Sequence, residues 1–159
     1  MRRIEIFEEV RDTPYRFALT PSETNTSCVG KHKKLKRLLN RAGLKVRPRV
    51  CDSSWSTVDL PEEIRRIPHV DQIYHVYLEV LTRGKWCSVD ASLDKDLAPT
   101  FPVIEWDGYT STRLCVPPSK VYSPKVSLDI FNETCDQDFD TEHDFYHALN
   151  VWFEGLRKS

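Results

Sequence analysis

A chain of 159 residues, 40% hydrophobic and 30% charged, is long enough to bury a core without disulfide or metal support, and one globular domain over residues 1–159 is expected. Its net charge of −1 hides a segregation. Lys31, Lys33, Lys34, Lys36, Arg37, Arg41, Lys45, Arg47 and Arg49 crowd one stretch, and Asp129, Glu133, Asp136, Asp138, Asp140, Glu142 and Asp144 crowd another, so a nucleic-acid role, which would want the first without the second, is not expected. Cys28, Cys51, Cys87, Cys115 and Cys135 are odd in number, scattered and without a C-x-x-C pair, which argues against a disulfide framework or a cysteine zinc site; no metal and no cofactor are expected. No window approaches the roughly eighteen apolar residues of a membrane span, and MRRIEIFEEVRD has no signal-type apolar run, so a cytoplasmic protein is expected.

In chain order, Ile6, Phe7 and Val10 predict a short helix within residues 2–11, ended before Pro14. LTPSETNTS has loop composition, and Thr26 or Ser27 is placed to cap a helix that starts at or just before Cys28. In that helix Leu35, Leu38, Leu39 and Ala42 repeat at i, i+3, i+4 and i+7, Gly43 stops it, and one heptad back from Leu35 lies Cys28. KVRPRVC then alternates as a strand does, and a helical turn is expected at PEEI. YHVYLEVL and KWCSVDAS read as a hairpin turning near Arg83 and Gly84. A loop of two or four residues pairs odd with even positions, which puts His75, Tyr77 and Glu79 on one face with Trp86, Ser88 and Asp90, and leaves Val76, Leu78, Val80, Cys87 and Val89 for the core. Residues 97–126, with five prolines, read as irregular loops and edge strands wrapping the sheet. Phe145, Leu149, Trp152, Phe153 and Leu156 predict a terminal amphipathic helix.

Cys28, His75 and Asp90 form the leading constellation. Cysteine catalysis needs a thiolate, a base that takes its proton and returns it to the leaving group, and a third group that orients the imidazole. A helix N-terminus stabilises negative charge, which suits Cys28, and the hairpin register makes His75 and Asp90 opposed or diagonal neighbours. Taken singly, the three have ordinary roles as a small buried hydrophobe, a strand histidine and a turn aspartate. An oxyanion hole would join the Cys28 N–H to a donor from Asn25, Thr26 or Tyr15. Trp55, Trp86, Trp106 and Tyr109 either wall a peptide cleft or fill the core.

The chain resembles the transglutaminase-like superfamily of papain-related cysteine enzymes over roughly residues 14–92. SCVGKHKKLKRLLNRAGLKVRPRV is similar to that family's nucleophile helix with its turn and strand, and HVYLEVLTRGKWCSVDAS carries its H-x-x-x-E-V and W-x-x-x-D pattern in His75, Glu79, Trp86 and Asp90. The resemblance implies an α+β papain-like core, a Cys-bearing helix packed on an antiparallel sheet that holds His and Asp, and acyl transfer or hydrolysis at the amide of a peptide or protein substrate. It implies a small stand-alone member, with no calcium dependence carried over. A non-catalytic domain of the same fold that binds a protein partner is the alternative.

Three rival sites are weaker. His32 follows Cys28 by four residues on one helical face but has no third group. His143 and His147 form H-x-x-x-H without the glutamate or third ligand of a metal helix, and read as a solvated face. The basic run from Lys31 to Arg49 reads as a charged helix face.

Overall fold

The computed structural model describes residues 2–133 and 142–159, and among these, besides two single 3-10 turns, Trp55–Thr57 and Lys95–Leu97, it has nine α-helices and β-strands. In chain order they are α1 (Arg2–Arg11), α2 (Cys28–Arg41), β1 (Val46–Ser54), α3 (Glu62–Arg65), β2 (Gln72–Thr82), β3 (Lys85–Val89), β4 (Lys120–Val121), α4 (Pro124–Glu133) and α5 (His143–Arg157). The strands form one antiparallel sheet in the order β3-β2-β1-β4, so the architecture is α+β. Cys135 and the acidic positions Asp136, Asp138 and Asp140 lie outside the described residues. Among the described residues no helix is long and apolar enough to cross a membrane.

The hairpin closes through Arg83 and Gly84, whose φ values of 51° and 78° are both in the left-handed region that a two-residue turn between twisted strands requires. Glycine adopts it freely; Arg83 does so with its guanidinium over the Tyr109 ring, 4.1 Å from the centroid. The resulting register, Val80 opposite Cys87 and Leu78 opposite Val89, has the expected odd-to-even parity. Val76, Leu78, Val80, Cys87 and Val89 are all buried, as the alternation demanded.

Two hydrophobic clusters lie under the sheet, and α2 spans both. Leu35 and Leu39 pack with Ile6, Phe7 and Val10 of α1 and with Leu78, Val80 and Val89; each fully buried side chain of this kind contributes about 1.5–3 kcal/mol. The first residue of α2, Cys28, belongs to the other cluster, with Tyr15, Phe17, Val50, Val76 and the α5 residues Phe145, Leu149 and Phe153. The α5 helix also pins the chain ahead of α2. Asn150 accepts from the Phe17 N–H and donates to the Phe17 carbonyl, both at 2.9 Å. Arg157 pairs with Asp94 through two bonds of 2.8 and 2.9 Å, and Asp94 accepts from the Tyr15 N–H at 2.9 Å.

Two features differ from the expectations. Lys31, counted in a charged face, is buried on the α2 stripe, where its ammonium donates to the carbonyls of Arg11, Thr13 and Ser92 at 2.7, 2.7 and 2.6 Å. Its cationic tip finds three acceptors inside, so the stripe takes it despite its charge. The end of the proline-rich stretch is not loop but the start of α4. Pro124 occupies the first helical turn, where its missing N–H costs nothing, and the Ser123 hydroxyl accepts from the Val126 N–H at 3.2 Å. Upstream of it, residues 111–119 do wrap the sheet as a strap. Thr112 N–H bonds to the Ser88 carbonyl on β3, and Ser119 N–H bonds to the Asp52 carbonyl on β1, each at 2.8 Å.

Candidate active site

Cys28 is set at the head of α2 by the loop that precedes it. The Asn25 side chain accepts from the Ser27 N–H at 2.8 Å, and Ser27 takes the extended N-cap conformation without a side-chain cap bond; Thr26 instead donates its hydroxyl to the Pro14 carbonyl at 2.8 Å. The loop folds so closely over the helix that a Cβ on Gly30 would stand 1.8 Å from the Asn25 carbonyl oxygen. Only glycine fits there. The Cys28 backbone N–H thus occupies the first position of the helix, with the Tyr15 phenol beside both that N–H and the thiol. Burial pushes the Tyr15 phenol well above its usual range, and the neighbouring Cys28 and Cys115 add to the rise.

His75 and Asp90 meet where β3 leaves the sheet. The last β2–β3 pair is Leu78 with Val89, so β2 runs past the end of its partner and Asp90 turns in behind the imidazole. His75 Nε2 donates to Asp90 Oδ2 at 2.8 Å. That carboxylate is wholly buried and fully satisfied: Oδ2 also accepts from the Cys115 N–H at 2.9 Å, and Oδ1 accepts from the Ser92 N–H at 3.0 Å and its hydroxyl at 2.5 Å. Burial opposes its ionisation, but the charge and hydrogen bond of His75, with His32 and Ser92, hold the carboxyl far below the usual range. Burial likewise opposes a charge on His75, and the Asp90 carboxylate, through its charge and its hydrogen bond, draws the imidazole upward; the Cys115 sulfur adds to that rise only in its thiolate form. With Nε2 committed to Asp90, Nδ1 is the ring nitrogen left to serve a nucleophile.

A second sulfur reaches the same imidazole. Cys115 Sγ is 3.7 Å from His75 Nε2, brought there by the strap. Burial and then Asp90 push this thiol up to about 11, against the pull of His75, so it stays protonated at neutral pH. The Cys115 thiol, His75 ring nitrogen and Asp90 oxygen lie within 4.8 Å of one another, and one thiol, one imidazole and one carboxylate make a donor set suited to a borderline divalent metal such as zinc. Nothing in the sequence marks Cys115, because the strap has no periodicity and its position comes from backbone bonds to β3 and β1.

Cys28, His75 and Cys115 all line one cavity of about 340 Å³, and so do Tyr15, Asn25 and Trp55. Trp106 does not. It packs in the second cluster against Phe7, ring centroids 5.8 Å apart, and its Nε1 donates to the Thr110 carbonyl, so a role in substrate binding is withdrawn. Trp86 is exposed under the Arg47 guanidinium, and Tyr109 is exposed near Arg3 and Arg83. Glu79 pairs with Arg47 and Arg49, each at 2.8 Å. His32 bonds the carbonyl of Cys28, not its thiol: Nδ1 donates to Cys28 O at 2.7 Å and Nε2 accepts from the Ala91 N–H at 3.0 Å. His143 and His147 stack in parallel on α5, ring centroids 6.3 Å apart.

Compared with protein-family models, with curated proteins and with solved structures, the chain matches none. What fold and geometry define together is an α+β protein in which the Cys115 thiol, the His75 imidazole and the Asp90 carboxylate converge, beside a cavity that Cys28 lines with His75 and Cys115.

Proposed function

We propose that the protein is a cysteine hydrolase or acyltransferase of transglutaminase-like type, acting on an amide carbonyl. The observation that carries the reading is the buried His75–Asp90 pair, its imidazole facing the same cavity as a thiol on a helix N-terminus. Cys28 loses its proton to His75 and its sulfur attacks the carbonyl carbon, forming the C–S bond; the oxyanion is met by the Cys28 N–H and by the Tyr15 phenol or the Asn25 amide. As the C–N bond breaks, His75 returns the proton to the departing amine, and water or a second amine then releases the acyl group from sulfur. Asp90 keeps Nε2–H in place and supports the imidazolium throughout. The upward shift of His75 favours that charged form, the partner a thiolate needs.

The test is site-resolved alkylation. At neutral pH iodoacetamide should modify Cys28 faster than Cys51 or Cys115, and His75→Ala should remove the difference. Equal rates at the three thiols refute an activated nucleophile at Cys28. A protein-binding domain without chemistry would show that equality together with a partner whose binding Cys28→Ala leaves unchanged.

A further inference from the structure

Among the described residues, those that line the cavity that Cys28 opens into include no lysine, arginine, aspartate or glutamate, and His75 is the one titratable base. The apolar wall of the cavity includes Phe17, Trp55, Phe101, Phe153, Leu93 and Val58. The rings interlock: Tyr15 meets Phe17 and Phe153 edge-on at 5.3 and 5.7 Å, and Phe17 and Phe101 make further edge contacts with Trp55 and Phe153 at 6.2 and 5.9 Å. Hydrogen-bonding side chains also reach the cavity, Tyr15, Asn25, Ser27, Trp55, Gln72, Tyr74 and Tyr146 besides the His75 ring; of these Asn25 and Ser27 belong to the loop at the head of α2 beside the sulfur, the Gln72 amide already donates to Asp52 and the Tyr146 hydroxyl to Glu142. The Cys28 end can therefore hold a carbonyl, and the walls made by Phe17, Phe101, Phe153, Leu93 and Val58 offer a charged tail no opposite charge.

We infer that the acyl group transferred to Cys28 is uncharged and apolar, an aliphatic chain or an aromatic ring whose carbonyl lies at the helix head and whose tail fills the ring-lined space. This rests on the acyl-transfer reading of the same site and narrows it to a substrate class. An extended polar peptide would leave unpaired the amides that lie against Phe17 and Phe153, and a tail ending in a carboxylate or ammonium would lose its hydration with no counter-charge among the described lining residues. A neutral hydrocarbon gains with each methylene removed from water, by about fourfold in affinity.

The experiment titrates the Cys28→Ala chain calorimetrically with propanamide, butanamide, hexanamide and octanamide, and with adipamic acid, which is hexanamide with its terminal methyl replaced by a carboxylate. The expected result is a dissociation constant falling about fourfold per methylene until the cavity is full, and adipamic acid about a hundredfold weaker than hexanamide. Affinity that is flat along the series, or adipamic acid equal to hexanamide, overturns the inference. Iodoacetamide alkylation of Cys28 in the wild-type chain reports separately on the nucleophile. A flat series with fast alkylation overturns the apolar donor and keeps the triad, whereas a steep series with slow alkylation overturns acyl transfer and keeps the apolar site.

Discussion

His32 should make the protein acid-labile in a defined window. Its ring bridges the Cys28 carbonyl and the Ala91 N–H, an arrangement that fits only the neutral form with the proton on Nδ1, because Nε2 is the acceptor. Burial therefore lowers its pKa from 6.5 to about 4, even though Asp90 Oδ1, 3.8 Å away, draws it upward. Because the folded value lies below the unfolded one, the unfolded chain holds the extra proton between the two, and stability falls as pH drops from 6.5 toward 4. The difference of about 2.5 units (6.5 minus 4), at ~1.36 kcal/mol each, corresponds to about 3 kcal/mol. His32→Gln keeps an acceptor for Ala91 and does not titrate. Urea unfolding of both chains at pH 7, 6, 5 and 4 should show the wild type losing about 3 kcal/mol more than the variant across that range. Parallel pH profiles would refute the assignment of a neutral, bridging imidazole. The consequence reaches the site, since the same ring ties the head of α2 to the turn that carries Asp90.

Gly30→Ala should lower the melting temperature by several degrees, because the overlap with the Asn25 carbonyl costs about 1–3 kcal/mol and outweighs the roughly 1 kcal/mol of helix propensity gained; a calorimetric scan showing a rise refutes the close approach. Lys31→Met keeps the length of the side chain and strips a donor from the carbonyls of Arg11, Thr13 and Ser92, so denaturant unfolding should show a loss of about 3 kcal/mol or more; a loss under about 1 kcal/mol would mean that the ammonium is not bonded there. Cys115→Ser removes the second thiol while its backbone N–H continues to hold Asp90, so Cys28 alkylation should persist within about threefold; wild-type protein labelled first at Cys115, read by peptide mass spectrometry at neutral pH, would transfer the nucleophile to the strap.

The hairpin was readable in advance because a strand's side chains alternate with a period of two and a left-handed two-residue turn leaves one register; from that the shared face of His75 and Asp90 followed. The α2 stripe was readable for a similar reason, and it carried Cys28 inward one heptad from Leu35. At Lys31 the run of basic residues misleads, since residue type does not reveal that three carbonyls from distant segments meet the ammonium. Of the two roles open to Trp106, the structure selects the core, because an aromatic residue declares burial and not which cluster receives it. At α4, Pro124 stands in a proline-rich stretch that reads as loop, but at the first turn of a helix proline is a start signal.

By itself the sequence determined the local framework: a cysteine opening an amphipathic helix, and a histidine and an aspartate on one face of a tight hairpin, because helix and strand periods are set by backbone geometry over a few residues. Only the tertiary structure decided which side chains share the cavity, that Cys115 reaches His75, and that the described walls carry aromatic rings without a charged side chain, because those outcomes depend on contacts between segments far apart in the chain, such as α5 holding residues 15–17 and the strap crossing from β3 to β1.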